Sequence, residues 1–393
     1  MFLRLTAALL ILLLPLCADS ALKTTERYES NHAESDIKIL KSIIARRPED
    51  LKTLKRLINL TFNTEQFEEA ERYCEQYLSI EQNSEVAYVK IIAAASLGKF
   101  KSAADQVDPF IRQYKNELGS RDVMLLRYKE ALYRKSVVSR GQPSGGQKAS
   151  WGEDSLIKTA IHRDSLFAGY KFADYEHTIF KVSGNQLSDA ENYPAYLSGI
   201  PFSSISFISL SDDGREVLVS SRSRDKSSIY IRRYIPGKKR WSSWETPDEL
   251  NPGRWNHYAN YIDNNTVLFS SSDDEDYDLY ISMRDKDGEW SEARKLPGVN
   301  TPLDEISASL HPDGETLYFS SNGYEGMGGY DIYGAKLMRK GDSYEVTGVR
   351  NVSSANTFRN EKFPLFINSS GSVAYSNFST GMKNNIYICG DLP

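Results

Sequence analysis

Two periodicities divide the chain. From about Ala33 to Lys135 apolar residues recur every three to four positions, as in Leu51, Leu54, Leu57 and Ile58, then Phe67, Ala70, Tyr73, Cys74 and Tyr77. That spacing places one apolar stripe on a helix. Turn-forming residues interrupt it at Arg47-Pro-Glu-Asp50, Asn63-Thr64, Gln82-Asn-Ser84, Leu97-Gly-Lys99 and Leu118-Gly-Ser120. The pattern predicts six helices with connections short enough to make neighbours antiparallel. After Gln142-Pro-Ser-Gly-Gly-Gln-Lys-Ala-Ser-Trp-Gly152, rich in Gly, Ser and Pro, the period changes to two. Short alternating runs such as Val217-Leu-Val-Ser, Thr266-Val-Leu-Phe-Ser, Leu317-Tyr-Phe-Ser and Val373-Ala-Tyr-Ser predict strands, each after a turn containing Asp, Asn or Gly.

Both halves repeat. In the helical half, Gln66-Phe-Glu-Glu-Ala70 and Lys99-Phe-Lys-Ser-Ala103 place their alanines 33 residues apart, where a small side chain lets crossing helices approach. This resembles a short tetratricopeptide array, whose period is about 34, with a leading helix near 34–46 and a capping helix near 120–135. Thr61 and Ala94 stand where that repeat usually has an aromatic; a generic stack of helical hairpins is the alternative.

In the second half Ser220-Ser221, Ser270-Ser271 and Ser320-Ser321 are spaced by 50 and 50, Ser376-Asn377 follows 56 later, and Phe167-Ala-Gly169 lies 52 before the first pair. The same register holds a turn before each run (Asp212-Asp-Gly214, Asp263-Asn-Asn265, Pro312-Asp-Gly314, Ser369-Ser-Gly371). A second strand follows it (Ser228-Ile-Tyr-Ile, Asp278-Leu-Tyr-Ile, Asp331-Ile-Tyr, Asn385-Ile-Tyr-Ile). A further strand is expected near Arg240-Trp-Ser, Glu289-Trp-Ser and Ser343-Tyr-Glu. A four-stranded unit cannot bury both faces alone, and radial stacking solves this, so the repeat predicts a β-propeller of about five blades. The fold class is thus multidomain α and β, a tetratricopeptide-like α-hairpin array followed by an all-β propeller. Its divisions are 1–20, 21–135, a linker or closing strand at 136–152, and 153–393. After the last apparent strand, Asn385–Cys389, too few residues remain for a fourth, so Val137-Val-Ser139 or the region around Lys148–Trp151 is expected to close the ring; a three-stranded last blade is the alternative.

The N-terminus adds a location. Met1-Phe-Leu-Arg4 is a short basic start, Leu5 to Leu14 is apolar, and Ala18-Asp-Ser20 is a small-x-small cleavage pattern, together a secretory signal. Leu-Pro-Leu-Cys17 resembles a bacterial lipobox, so lipidation of Cys17 and plain cleavage after Ser20 are the two expected routes. The expected location is the periplasm, soluble or tethered to the outer membrane. Net charge is -5 with both signs interspersed, which gives no basic stripe for nucleic acid. Of the other cysteines, Cys74 and Cys389, neither has a CxxC neighbour; both are expected as buried thiols, with a mutual disulfide as the alternative.

The turn-strand-turn-strand register, with Pro-Asp-Gly units such as His311-Pro-Asp-Gly followed by Leu-Tyr-Phe-Ser-Ser-Asn-Gly, resembles a TolB-type propeller over roughly 153–393. With the signal and the helices, the whole resembles the N-terminal part of envelope proteins that carry an OmpA-type domain, such as the helical-repeat and propeller component of type IX secretion. The resemblance implies a non-enzymatic scaffold whose partners are envelope or outer-membrane proteins. No G-x-S-x-G motif is present, and His32, His162, His177, His257 and His311 lie apart without metal spacing, so no catalytic residue, metal or cofactor is expected.

In an up-down blade the loop between the second and third strands shares a rim with the connection to the next blade. That rim gathers Trp255, Asn256, His257, Asp304, Glu305, Tyr324, Asn360 and Glu361 as a candidate partner surface, with the acidic run Ser272-Asp-Asp-Glu-Asp-Tyr-Asp278 and the glycine loop Gly323–Gly329 beside it. The acidic run is expected as a solvated loop, with a Ca²⁺ site as the alternative. Asp304, Glu305, Asn360 and Glu361 would serve equally to hydrogen-bond adjacent blades. A carbohydrate- or peptidoglycan-fragment-binding, or lytic, protein using the same rim is the second functional reading.

Overall fold

The computed structural model describes residues 33–135 except 65, the backbone of strands between 147 and 189, residues 205–366 apart from 223–224, 327–329, 354 and 357–359, and strands at 373–378 and 385–389. The signal segment with Cys17, and His32, Val137 to Ser139, Trp151 and His162, lie outside the described residues.

Six helices come first: α1 (Ala33–Arg46), α2 (Leu51–Asn63), α3 (Phe67–Leu78), α4 (Ser84–Ser96), α5 (Phe100–Gln113) and α6 (Ser120–Lys135). The breaks read from the sequence fall between them, and two supply caps. Asp50 accepts from the Thr53 amide at 3.1 Å and Asn83 from the Val86 amide at 3.1 Å, each satisfying one of the open N–H groups of a helix start. Each helix packs on the next. Ala70 and Ala103, the paired alanines of the repeat, are fully buried. One apolar cluster joins α1 to α4 through Leu40, Leu57, Tyr73 and Val89, and a second joins α4 to α6 through Ile91, Val107 and Leu126, so α4 contributes to both. Cys74 is a buried free thiol, and burial pushes its pKa up to about 12. Among the described residues no helix is long and apolar enough to cross a membrane.

The β half begins with β1 (Gln147–Lys148) and continues as β2 (Ser155–Ile161), β3 (Leu166–Lys171), β4 (Glu176–Ser183) and β5 (Gln186–Asp189), the first blade. Blade 2 is β6 (Ile205–Leu210), β7 (Glu216–Arg222), β8 (Ser227–Ile235) and β9 (Arg240–Trp241). Blade 3 is β10 (Trp255–Asp263), β11 (Thr266–Ser272), β12 (Asp278–Met283) and β13 (Arg294–Lys295). Blade 4 is β14 (Glu305–Leu310), β15 (Thr316–Ser321), β16 (Asp331–Lys340) and β17 (Ser343–Asn351), and blade 5 is β18 (Asn360–Phe366), β19 (Val373–Phe378) and β20 (Asn385–Cys389). The fourth strand of blade 5 is β1, antiparallel to β20 with Gln147 opposite Ile388 and Lys148 opposite Tyr387. The innermost strands β2, β6, β10, β14 and β18 touch in a cycle that returns from β18 to β2. The chain is therefore an α-hairpin array followed by a five-bladed propeller, with the last blade completed by a segment that precedes the first.

One strand lies elsewhere than its sequence signal. The outer strand of blade 3 was expected near Glu289-Trp-Ser, yet β13 forms at Arg294–Lys295, and Trp290 makes an isolated bridge to Arg284. Trp290 is buried, with the Arg284 guanidinium 4.3 Å from its ring centroid, so the indole covers the blade as core and the edge strand begins after it.

Candidate functional site: the loop rim of blades 2 to 4

Every innermost strand carries a register shift near its start, between Ile157 and Thr159, Ile205 and Phe207, His257 and Asn260, Ile306 and Ser309, and Lys362 and Leu365. At two of these bulges a residue other than glycine is left-handed, Tyr258 at φ 57° and Ser307 at φ 54°. Such a bulge bends the strand and re-aims its side chains.

The Ser-Ser repeat fixes these bends. Ser220 Oγ accepts from the Ala259 amide and Ser270 Oγ from the Ser307 amide, both at 3.3 Å, so the first serine of a pair reaches the next blade's bulge. The second serine holds its own blade: Ser271 Oγ donates to Asn256 Oδ1 at 2.8 Å and Ser321 Oγ lies 2.7 Å from Glu305 Oε1.

Asn256 and Glu305 thus occupy one slot at the start of β10 and β14, and Glu361, paired with Asn377, occupies it in β18. All three are buried. Asn256 also accepts from the Gly253 amide at 3.3 Å and donates to the Gly253 and Ser227 carbonyls at 2.6 and 3.2 Å. Glu305 Oε2 accepts from the Thr301 amide at 2.7 Å, with Thr301 Oγ1 2.8 Å from Oε1. Burial, with a smaller contribution from Asp304, raises the Glu305 pKa to about 8 against those hydrogen bonds. The Glu361 amide donates to the Tyr330 carbonyl at 2.7 Å and the Glu305 amide to the Tyr277 carbonyl at 2.7 Å, the same contact one blade apart.

The remaining rim candidates are also engaged. Trp255 Nε1 donates to Asp274 Oδ1 at 2.5 Å beneath the Arg254 guanidinium, 5.3 Å from its ring centroid. His257 Nε2 lies 2.9 Å from Ser227 Oγ, and its ring is 5.9 Å from that of Tyr277. Asp304 Oδ1 accepts from the Tyr277 amide at 2.9 Å and Oδ2 from the Tyr330 hydroxyl; burial raises its pKa, opposed by these bonds. Tyr324 is half-buried and donates to the Val299 carbonyl at 2.5 Å. Asn360 begins β18 opposite Phe378, and its side chain lies outside the described residues. The candidates therefore fall at three blade junctions, with Trp255, Asn256 and His257 at one, Asp304, Glu305 and Tyr324 at the next, and Asn360 and Glu361 at the start of β18 one blade further on.

The acidic run, expected as a solvated loop, keeps Asp273 and Glu275 exposed and is also paired. Asp274 meets Arg254 at 2.6 Å, Glu275 and Asp276 meet Arg121 of α6 at 2.8 and 2.6 Å, and Asp278 meets Lys295 at 2.5 Å. Among the described residues no group of three or more His, Cys, Asp or Glu could hold a metal ion.

Several residues that the sequence reading passed over complete the site. Asn251, Asn300 and Asn356 hold the connections that leave blades 2, 3 and 4 to the third strand of each through an amide that imitates a strand partner. Asn300 accepts from the Leu279 amide at 2.8 Å and donates to its carbonyl at 3.1 Å; Asn251 does the same at Ile229 and Asn356 at Ile332. Their spacings of 49 and 56 follow the Glu305 slot, which is the signal that could have revealed them. Lys362, also buried, places Nζ 3.6 Å from the Tyr330 ring centroid and next to Asp304. Burial, reinforced by Asp304, holds the Tyr330 hydroxyl well above the usual phenol range, so it donates to Asp304 rather than ionising.

No protein-family model and no curated protein matches the sequence. Among solved structures the chain is similar to TolB from Acinetobacter baumannii, at 14% identity and a TM-score of 0.35, over 61% of this chain and 55% of that one. It thus spans about half the length of that TolB. It is also similar to the PQQ-bound aldose sugar dehydrogenase from Streptomyces coelicolor, at 10% identity and a TM-score of 0.32, over 62% of this chain and 96% of that one. A luciferin-regenerating enzyme is similar at 10% identity and a TM-score of 0.36, over 65% and 94%.

Proposed function

We propose that the protein is a non-enzymatic scaffold of the cell envelope that binds other proteins through its helical array and its propeller rim. The observation that carries this reading is the use made of the rim side chains. Asn256, Asp304 and Glu305 each hold backbone amides of neighbouring loops, which makes the rim a stiff platform that offers shape and charge rather than groups poised to exchange protons with a substrate. Stacked hairpins supply a second extended surface.

The envelope setting rests on the N-terminal leader and on the resemblance of the Pro-Asp-Gly units to TolB-type propellers, with the tethered form depending on Cys17. Partners are then envelope or outer-membrane proteins. Crosslinking in intact cells followed by mass spectrometry is the direct test. Recurrent capture of the same envelope proteins supports the scaffold. Recovery of peptidoglycan fragments or other glycans, with no recurrent protein, would replace it with the carbohydrate-binding reading.

A further inference from the structure

The capping helix α6 does more than finish the array. Arg121, Tyr128 and Lys135 stand seven residues apart, and residues at that spacing share a helix face. All three reach the propeller rim. Arg121 pairs with Glu275 and Asp276 of blade 3 at 2.8 and 2.6 Å, Tyr128 donates to the Gly323 carbonyl of blade 4 at 2.8 Å, and Lys135 lies 3.6 Å from Glu325. Met124, on the same side of the helix, stays 48% exposed. These contacts are polar and partly solvated, the kind that ionic strength weakens and that permits domain motion.

We propose that this contact is a reversible, charge-operated latch, and that the strip it covers, Glu275, Asp276, Gly323 and Glu325, is a docking surface for a basic helical segment of a partner protein. The occupant is argued from the resident one. The strip already accepts a helix presenting a cation, a phenol and a cation at seven-residue intervals, and its carboxylates attract positive charge. The connection from Lys135 to Gln147 is only eleven residues, 136–146, which keeps α6 close to the rim at high effective concentration. An external segment must therefore compete with α6, and its binding frees the helical array. This goes beyond the scaffold reading and stands apart from it, because opening of the latch is measured without any natural partner.

The test uses the full chain. Arg121→Glu reverses both ion pairs, while an acidic residue in the first turn of α6 suits the helix dipole, so the helix itself is retained. Hydrogen exchange of the loops around 273–276 and 322–326 should rise about tenfold or more in R121E, and in the wild type at about 1 M salt, where the screening length falls to about 3 Å. Combining R121E with Glu275→Lys and Asp276→Lys should restore protection, which separates latch opening from misfolding. A synthetic helical peptide bearing Arg, Tyr and Lys seven residues apart should bind R121E at least about tenfold tighter than wild type at low salt. Unchanged loop exchange in R121E and at high salt overturns the latch. An open latch that leaves peptide affinity unchanged overturns the docking strip.

Discussion

Asn256 and Glu305 fill equivalent slots with different chemistry, and the difference has a pH signature. The Glu305 carboxyl, held by burial at about 8 against an ordinary value of 4.5, binds its proton more tightly in the folded than in the unfolded chain. Its contribution is fully present below about pH 4.5 and is lost as pH rises through about 8. Glu305→Gln places there the amide that blade 3 already uses. The variant's thermal midpoint should gain on wild type steadily from pH 5 to 8 and run parallel above; a pH-independent offset would mean that Glu305 is ionised throughout. Asn300→Ala removes the acceptor of the Leu279 amide in the buried third strand and one of two donors to the Leu279 carbonyl, which also accepts from the Leu296 amide at 2.8 Å. Leaving the amide unpaired should cost about 1–3 kcal/mol, read as a lower midpoint in denaturant. The serine pairs were legible as a repeat because their bonds recur, the first serine on the next blade's bulge in blades 2 and 3 and the second on its own blade's first strand in blades 3 and 4. The bulges were not, because Tyr258 and Ser307 carry left-handed backbone without the glycine that usually marks it.

At the scale of elements, the helices were legible because their apolar spacing and their caps agree, and α6 runs over Ser120–Lys135, where the capping helix was expected. Of the two-residue outer strands, β9 lies where Arg240-Trp-Ser was expected to form one and β13 lies away from Glu289-Trp-Ser. β9 and β13 have no alternation of their own, and Trp290, read as strand, is core beneath Arg284. The pairing of β1 with β20 has a testable consequence. Without β1 the edge of β20 presents unpaired peptide groups, a template for association. Deleting 136–152 should lower the propeller's midpoint and yield oligomers in sedimentation. A deletion variant as stable and as monomeric as the parent would show that the ring does not depend on this strand. Gly298 tests a connection instead. Its φ of 86° is left-handed, and a Cβ there would lie 2.1 Å from the Val346 carbonyl. Gly298→Ala should cost about 1–3 kcal/mol, with unchanged stability indicating that the loop moves away from β17.

Across the whole molecule, the two repeat arrays could be read separately, whereas their contact could not. Arg121, Tyr128 and Lys135 sit among other charged residues of α6, and nothing in the spacing of the acidic run says that its partner lies more than 150 positions earlier; the Arg121–Asp276 bond spans 155. The rim was likewise legible as a gathering of loops, and Asp304 as a side chain that hydrogen-bonds an adjacent blade, as it does at the Tyr277 amide; the engagement of Trp255, Asn256 and His257 was not, because burial between blades depends on how close the blades stand. The account rests on the claim that these side chains hold the platform together while function belongs to its surfaces. Asp304→Ala tests this most directly, with thermal unfolding and partner capture measured on the same variant. Loss of the carboxylate strips the Tyr277 amide and the Tyr330 hydroxyl of their acceptor. The account predicts a destabilisation of about 2–4 kcal/mol with the crosslinked partner set intact below the new midpoint. A variant as stable as wild type that loses its partners would contradict it and make Asp304 a recognition residue.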